Sequence, residues 1–88
     1  MAHLTHPDII LRLKRAEGHL RSTIAMIEQG RACPELAQQL QAIEKSISVA
    51  KKTLIHDHID HCLETQVGPD VAASRRALKE FKEITKYL

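Results

Sequence analysis

The sequence predicts an all-α protein whose protomer has three helices. The two long ones fold into an antiparallel hairpin that pairs with a second copy into a four-helix bundle. Three observations predict it. Residues are 43% hydrophobic but only 2% aromatic, with three glycines and three prolines; few aromatics and breakers among many Leu, Ile, Ala, Gln, Glu and Lys favour helices over a sandwich or barrel. Apolar residues recur at alternating steps of four and three, the spacing of a helical seam. Finally, 88 residues make one domain near the lower size limit for a self-sufficient core, which favours an oligomer.

The first helix is expected over residues 7 to 29. Thr5-His6-Pro7-Asp8 offers a hydroxyl cap, a proline in the first turn and an acid at the positive end of the dipole, leaving residues 1–6 as a flexible N-terminal segment. Ile9, Leu13, Ala16, Leu20, Thr23 and Ile27 form its seam, and Gly30 stops it as the residue after the cap. Cys33-Pro34-Glu35 restarts the chain with proline at the first helical position. Leu36, Leu40, Ile43, Ile47, Ala50, Leu54, Asp57 and His61 then carry the rhythm to about residue 65. Gly68-Pro69-Asp70 breaks this helix, and Val71, Ala72, Ala77, Leu78, Phe81, Ile84, Tyr87 and Leu88 outline a short third one. Ala37, Val49, Ile55, Ile59 and Leu63 widen the stripe on helix 2 beyond one seam, so a second chain is expected to cover it.

The net charge is only +2, too small for a polybasic anchor or tail. Its distribution is uneven, +3 over residues 1–55 and −1 over 56–88. No apolar run approaches the ~20 residues of a membrane span, and no signal-peptide pattern is present. A cytoplasmic protein without a membrane partner is expected, with its two cysteines reduced rather than bridged.

The chemistry concentrates in His56-Asp57-His58-Ile59-Asp60-His61-Cys62. His58 and Cys62 are four apart on a helix, so an imidazole and a thiolate share one face and can hold one metal ion. A third ligand is needed, and Cys33 is the candidate. It precedes His58 by 25 residues, roughly 37 Å along a continuous helix, which excludes ligation within one chain. Two copies of helix 2 packed antiparallel about a two-fold axis near Ile47 would set residue 33 opposite residue 61 of the partner, giving two equivalent sites per dimer. His56 and His61 read as a solvated or interface pair.

With Arg12-Leu13-Lys14-Arg15-Ala16-Glu17-Gly18-His19-Leu20, Cys33, Gln38-Gln39-Leu40 and His58-Ile59-Asp60-His61-Cys62, the chain resembles the CsoR/RcnR family of metal-sensing transcriptional repressors over nearly its whole length. The resemblance implies an antiparallel four-helix dimer, paired again into a homotetramer. It further implies a metal-free form bound to operator double-stranded DNA, and metal-driven release that derepresses an efflux or resistance gene. Carried over, Cys33, His58 and Cys62 are the metal ligands, a soft set suited to Cu(I). Glu80 is the acidic partner that orients the metal-bound histidine. Ala32 stands where some copper sensors have tyrosine. Nickel and cobalt members recruit an N-terminal histidine, and His3 behind Ala2 would add nitrogen donors for Ni(II), the rival metal. Ala2 argues against the formaldehyde-sensing branch, and His58 against the persulfide-sensing one.

No helix-turn-helix, zinc finger or aromatic-interleaved motif is present. A basic strip is: Arg12, Arg15 and Arg21 on helix 1, Lys51 and Lys52 on helix 2, able to meet phosphates in a salt-sensitive way. By the resemblance, Arg12, Arg15 and Lys52 contribute to operator binding, and Glu17 dilutes that surface. Against this stand a cytosolic metal buffer with the same ligands and no DNA function, and an enzyme using the Cys/His pair. No loop-borne pocket or oxyanion donors speak for the enzyme, and no small-molecule substrate is expected.

Overall fold

A computed structural model describes residues 6–65 and 71–88, the side chains of 62–65 and 71–74 excepted. Three helices make up these residues: α1 (Pro7–Glu28), α2 (Cys33–Thr65) and α3 (Val71–Thr85). Their bounds fall within a residue or two of the sequence expectation for α1 and α2. The breaker at Gly68-Pro69-Asp70 lies outside the described residues.

The start of α1 differs from the expected hydroxyl cap. His6 occupies the N-cap, with φ 50° and ψ 56° and no capping bond from its side chain. Its carbonyl accepts the first helical bond, from the Ile10 N–H at 3.0 Å, while Pro7 needs no acceptor because it has no N–H. The cap therefore rests on proline and on Asp8 in the first turn. Thr5 lies outside the described residues.

At its other end α1 closes as Gly30 predicts. The Arg31 N–H reaches back to the Met26 carbonyl at 3.1 Å and the Gly30 N–H to the Ile27 carbonyl at 3.0 Å, the paired bonds of a Schellman motif. This geometry needs a left-handed residue, and Gly30 has φ 75°. Ala32 then caps α2 by accepting from the Leu36 N–H at 3.1 Å. Cys33 takes the first helical position and Pro34 the second. Arg31 holds Glu35 through both guanidinium contacts, Nε to Oε2 at 3.2 Å and Nη2 to Oε1, which braces the exposed turn.

The chain divides into two compact units, one holding α1 and α2 up to Ala50, the other running from Lys51 through α3. In the first, the hairpin is tied by a 2.6 Å bond between His19 Nε2 and Gln39 Oε1. That register brings Ile9 to about the level of Ala50, Ala16 to that of Ile43, and Thr23 to that of Leu36, so each layer sets a large side chain against a small one. All but half-buried Leu36 are at most 7% exposed. Thr23, at 0%, gives its hydroxyl to the His19 carbonyl at 2.9 Å, which satisfies the one buried polar side chain among the described residues.

The alternate seam positions behave differently. Leu13, Leu20 and Ile27 on α1, and Leu40, Ile47 and Leu54 on α2, are between 39% and 51% exposed. Half of the apolar seam is thus filled inside the protomer and half faces outward. Ile55, expected to await a partner chain, is only 2% exposed and anchors the second unit. There Leu78 and Phe81 on α3, and Tyr87 and Leu88 beyond it, are exposed, while Ala77 and Ile84 are half-buried. No helix among the described residues is long and apolar enough to cross a membrane.

Gly30→Ala retains every side-chain contact but forces a Cβ into the left-handed region. Thermal or urea denaturation should show a loss of about 1 kcal/mol; an unchanged midpoint would mean that this end of α1 can close another way.

Candidate metal centre and nucleic-acid interface

Helix geometry brings His58 and Cys62 to one face, one turn apart on the last part of α2. His58 is half-buried, and its Nε2 lies 3.5 Å from Glu80 Oε1 on α3. The Glu80 carboxylate is itself largely exposed, at 62%. A carboxylate at this distance can accept a hydrogen bond from a ring N–H, the arrangement in which a carboxylate orients a ligating histidine. The structure thus brings His58 and Glu80 together across two helices.

It does not bring Cys33 to them. Cys33 opens α2 with an exposed, unbridged thiol, 25 positions before His58 and in the unit that ends at Ala50. The Cys62 side chain and all of His3 lie outside the described residues. Among those described, no three His, Cys, Asp or Glu side chains gather into a cluster that could hold a metal ion.

The basic residues sort by face. Arg12, Arg15 and Lys52 are all exposed. At about 100° per residue, Arg12 and Arg15 fall on the flank of α1 that also carries His19, whereas Leu13, Leu20 and Ile27 fall on the other. Glu17 belongs with the latter: it lines a shallow groove with Ile10, Leu13 and Lys14, and Arg21 Nη2 lies 3.9 Å from its Oε1. Glu17 therefore does not dilute the Arg12/Arg15 strip, and Arg21 is not part of it.

Residues 5–87 match the family model of the metal-sensitive transcriptional repressor. The chain belongs to this family. Among curated relatives, the copper-sensing transcriptional repressor CsoR of Bacillus subtilis is 32% identical over 81 residues, 90% of this chain and 80% of the relative. CsoR of Mycobacterium ulcerans is 36% identical over 56 residues, 64% of this chain and 48% of the relative; the match spans about half the length of the mycobacterial relatives. Of solved structures, the nickel-responsive transcriptional regulator InrS superposes with a TM-score of 0.80 at 25% identity, covering 100% of this chain and 98% of the other. Family and fold agree with the helical layout, while the relatives' names divide between copper and nickel.

Sequence reasoning left one tie undescribed, the His19–Gln39 bond. Its signal was present: each is a polar residue beside a seam position, on helices joined by a short link. The His58–Glu80 contact spans a partner that is mostly in solvent, where an ion pair contributes little. Glu80→Gln should accordingly change the stability of the metal-free protein by less than about 0.5 kcal/mol, as read from urea denaturation, and a larger loss would make Glu80 a structural residue.

Proposed function

We propose that this chain is a cytoplasmic metal-responsive repressor whose metal-free form binds operator double-stranded DNA. Metal at an inter-subunit site of Cys33, His58 and Cys62 releases it and derepresses an efflux or resistance gene. One observation carries the reading. Cys33, Leu40, Ile47 and Leu54 follow one another at seven-residue steps, the last three half-exposed, and His58 lies one turn beyond Leu54. A second copy that covers this stripe in antiparallel sense, with Ile47 near the axis, carries its own Cys33 to the His58–Cys62 end. The metal site and the dimer are then one construction, and dimers pair further into a tetramer.

Two thiolates and an imidazole are a soft donor set, which favours Cu(I). Cys33 and Cys62 would supply thiolate charge and His58 an imidazole nitrogen, while Glu80 accepts a hydrogen bond from the ring N–H. A metal held by His58 would make that N–H a stronger donor, tightening the link from α2 to α3. Arg12, Arg15 and Lys52 contribute phosphate contacts. Metal and DNA affinities are linked reciprocally: DNA must weaken metal binding by the factor that metal weakens DNA binding. No catalytic step is assigned to any residue. Ni(II) is the second reading, supported by the likeness to nickel-responsive InrS; there His3 adds a further nitrogen donor.

Anaerobic titration of the reduced protein with Cu(I) or Ni(II), following thiolate charge-transfer absorbance and duplex binding in the same samples, tests this. Release at one Cu(I) per protomer with Ni(II) inert is expected. A square-planar Ni(II) spectrum that disappears in His3→Ala would move the protein to nickel, and metal binding without salt-dependent DNA retention would make it a buffer. Cys33→Ala should stay on DNA when metal is added; normal release by this variant would remove Cys33 from the site. Glu80→Gln should bind metal about tenfold more weakly or worse, by competition with a chelator, despite its near-neutral effect on folding.

A further inference from the structure

Gly18 sits in the middle of α1, where glycine costs about 1 kcal/mol relative to alanine. Nothing among the described residues requires it. Its φ is not in the left-handed region, and a Cβ built there would meet no atom within 4 Å. The position is open, so the bare backbone here is accessible to a partner.

The helix neighbours of Gly18 indicate what that is. At three and four residues on either side lie Lys14, Arg15, Arg21 and Ser22, with Leu11 and Ala25 at seven. Lys14, Arg15, Arg21, Ser22 and Leu11 are exposed. Three cations and a hydroxyl surround the one bare point on the helix, with no acid among its neighbours. The nearest acid, Glu17, touches Arg21 only at 3.9 Å, between side chains more than 70% exposed, a contact that water and salt weaken. This face points away from the line of Ile9, Ala16 and Thr23 that packs against α2, and borders the apolar flank of Leu13, Leu20 and Ile27 through Lys14, which shares a groove with Ile10 and Leu13. A second copy would have to bury three charges to occupy it, whereas a polyanion would be bound by them.

We infer that Gly18 is the point of closest approach between α1 and the phosphate backbone of duplex DNA, with Lys14, Arg15 and Arg21 as its cationic contacts and Ser22 as a neutral donor. The inference rests on the DNA-binding reading above and adds to it Lys14, Gly18, Arg21 and Ser22. Glycine lets the helix backbone come within reach of a phosphate oxygen that a larger side chain would hold off.

The test uses the full chain and a labelled mixed-sequence duplex at low salt, where phosphate contacts dominate and no operator need be known. Gly18→Ala should raise Tm by about 4 °C yet weaken binding. Gly18→Leu should weaken it by about tenfold or more, with oligomer mass and metal stoichiometry unchanged. Arg21→Gln should lower the slope of log K against log salt by about one. Wild-type affinity in Gly18→Leu, while Arg12→Ala still weakens binding, overturns this inference and leaves the repressor reading intact. Loss of oligomer mass in Gly18→Leu overturns it in favour of contact between copies. Absence of salt-dependent binding by the unaltered protein overturns both.

Discussion

The structure depends on a division of labour within one apolar seam. On each long helix the positions seven apart split into two sets: Ile9, Ala16 and Thr23 with Ile43 and Ala50 are buried by the hairpin itself, while Leu13, Leu20, Ile27, Leu40, Ile47 and Leu54 keep 39–51% of their surface in water. Covering such side chains gives on the order of 1 kcal/mol each. For a domain of this size that sum is comparable to the whole stability of folding. A second copy that covered these side chains, as proposed above, would couple association to folding, and a site spanning two copies would form with the core rather than being added to it.

The same division orders the surfaces of α1. The line facing α2 is occupied by small and medium side chains in alternating layers. One flank is largely apolar, with Lys14 and Glu17 at its edge; the other carries Arg12, Arg15 and the His19 that ties the helix to Gln39 at 2.6 Å. A hydrogen bond at that place resists rotation of α1 about its own axis, because rotation would lengthen it while leaving the apolar layers nearly as well packed. The non-directional burial holds the helices together, and the directional bond sets the rotation that decides which residues each flank presents.

Much of this was legible in the sequence because it follows from periodicity. The 4, 3 rhythm gave both long helices, Gly30 gave the end of α1, and Pro34 beside Cys33 gave the start of α2. What periodicity could not separate is which half of a seam the protomer fills for itself: Ile55 looked like surface for a partner and is buried at 2%, since its burial depends on tertiary contacts of the second unit. The His6 cap was missed for a similar reason, a left-handed φ being invisible in a segment whose neighbours offered a hydroxyl. Charges misled where composition was read along the chain instead of around the helix, placing Glu17 and Arg21 on a strip to which neither belongs. The partnership of Glu80 with His58 came from resemblance alone, because no spacing rule connects residues on two helices separated by a turn.

That contact bears on how a small ion could move a larger object. His58 is the one proposed ligand with a described contact to a different helix, and its partner is on α3, which also carries Arg75, Arg76, Lys79 and Lys82. At 3.5 Å to an exposed carboxylate the bond is weak without metal, and weakness is what a switch requires: a link already saturated has no energy left to give when the ligand arrives. A metal held by His58 as proposed would strengthen its N–H as a donor, and the gain would fall on the described contact between His58 and Glu80 that joins α2 to α3. On the proposed reading, the stronger that contact is in the metal-free protein, the smaller the coupling between metal and DNA would be.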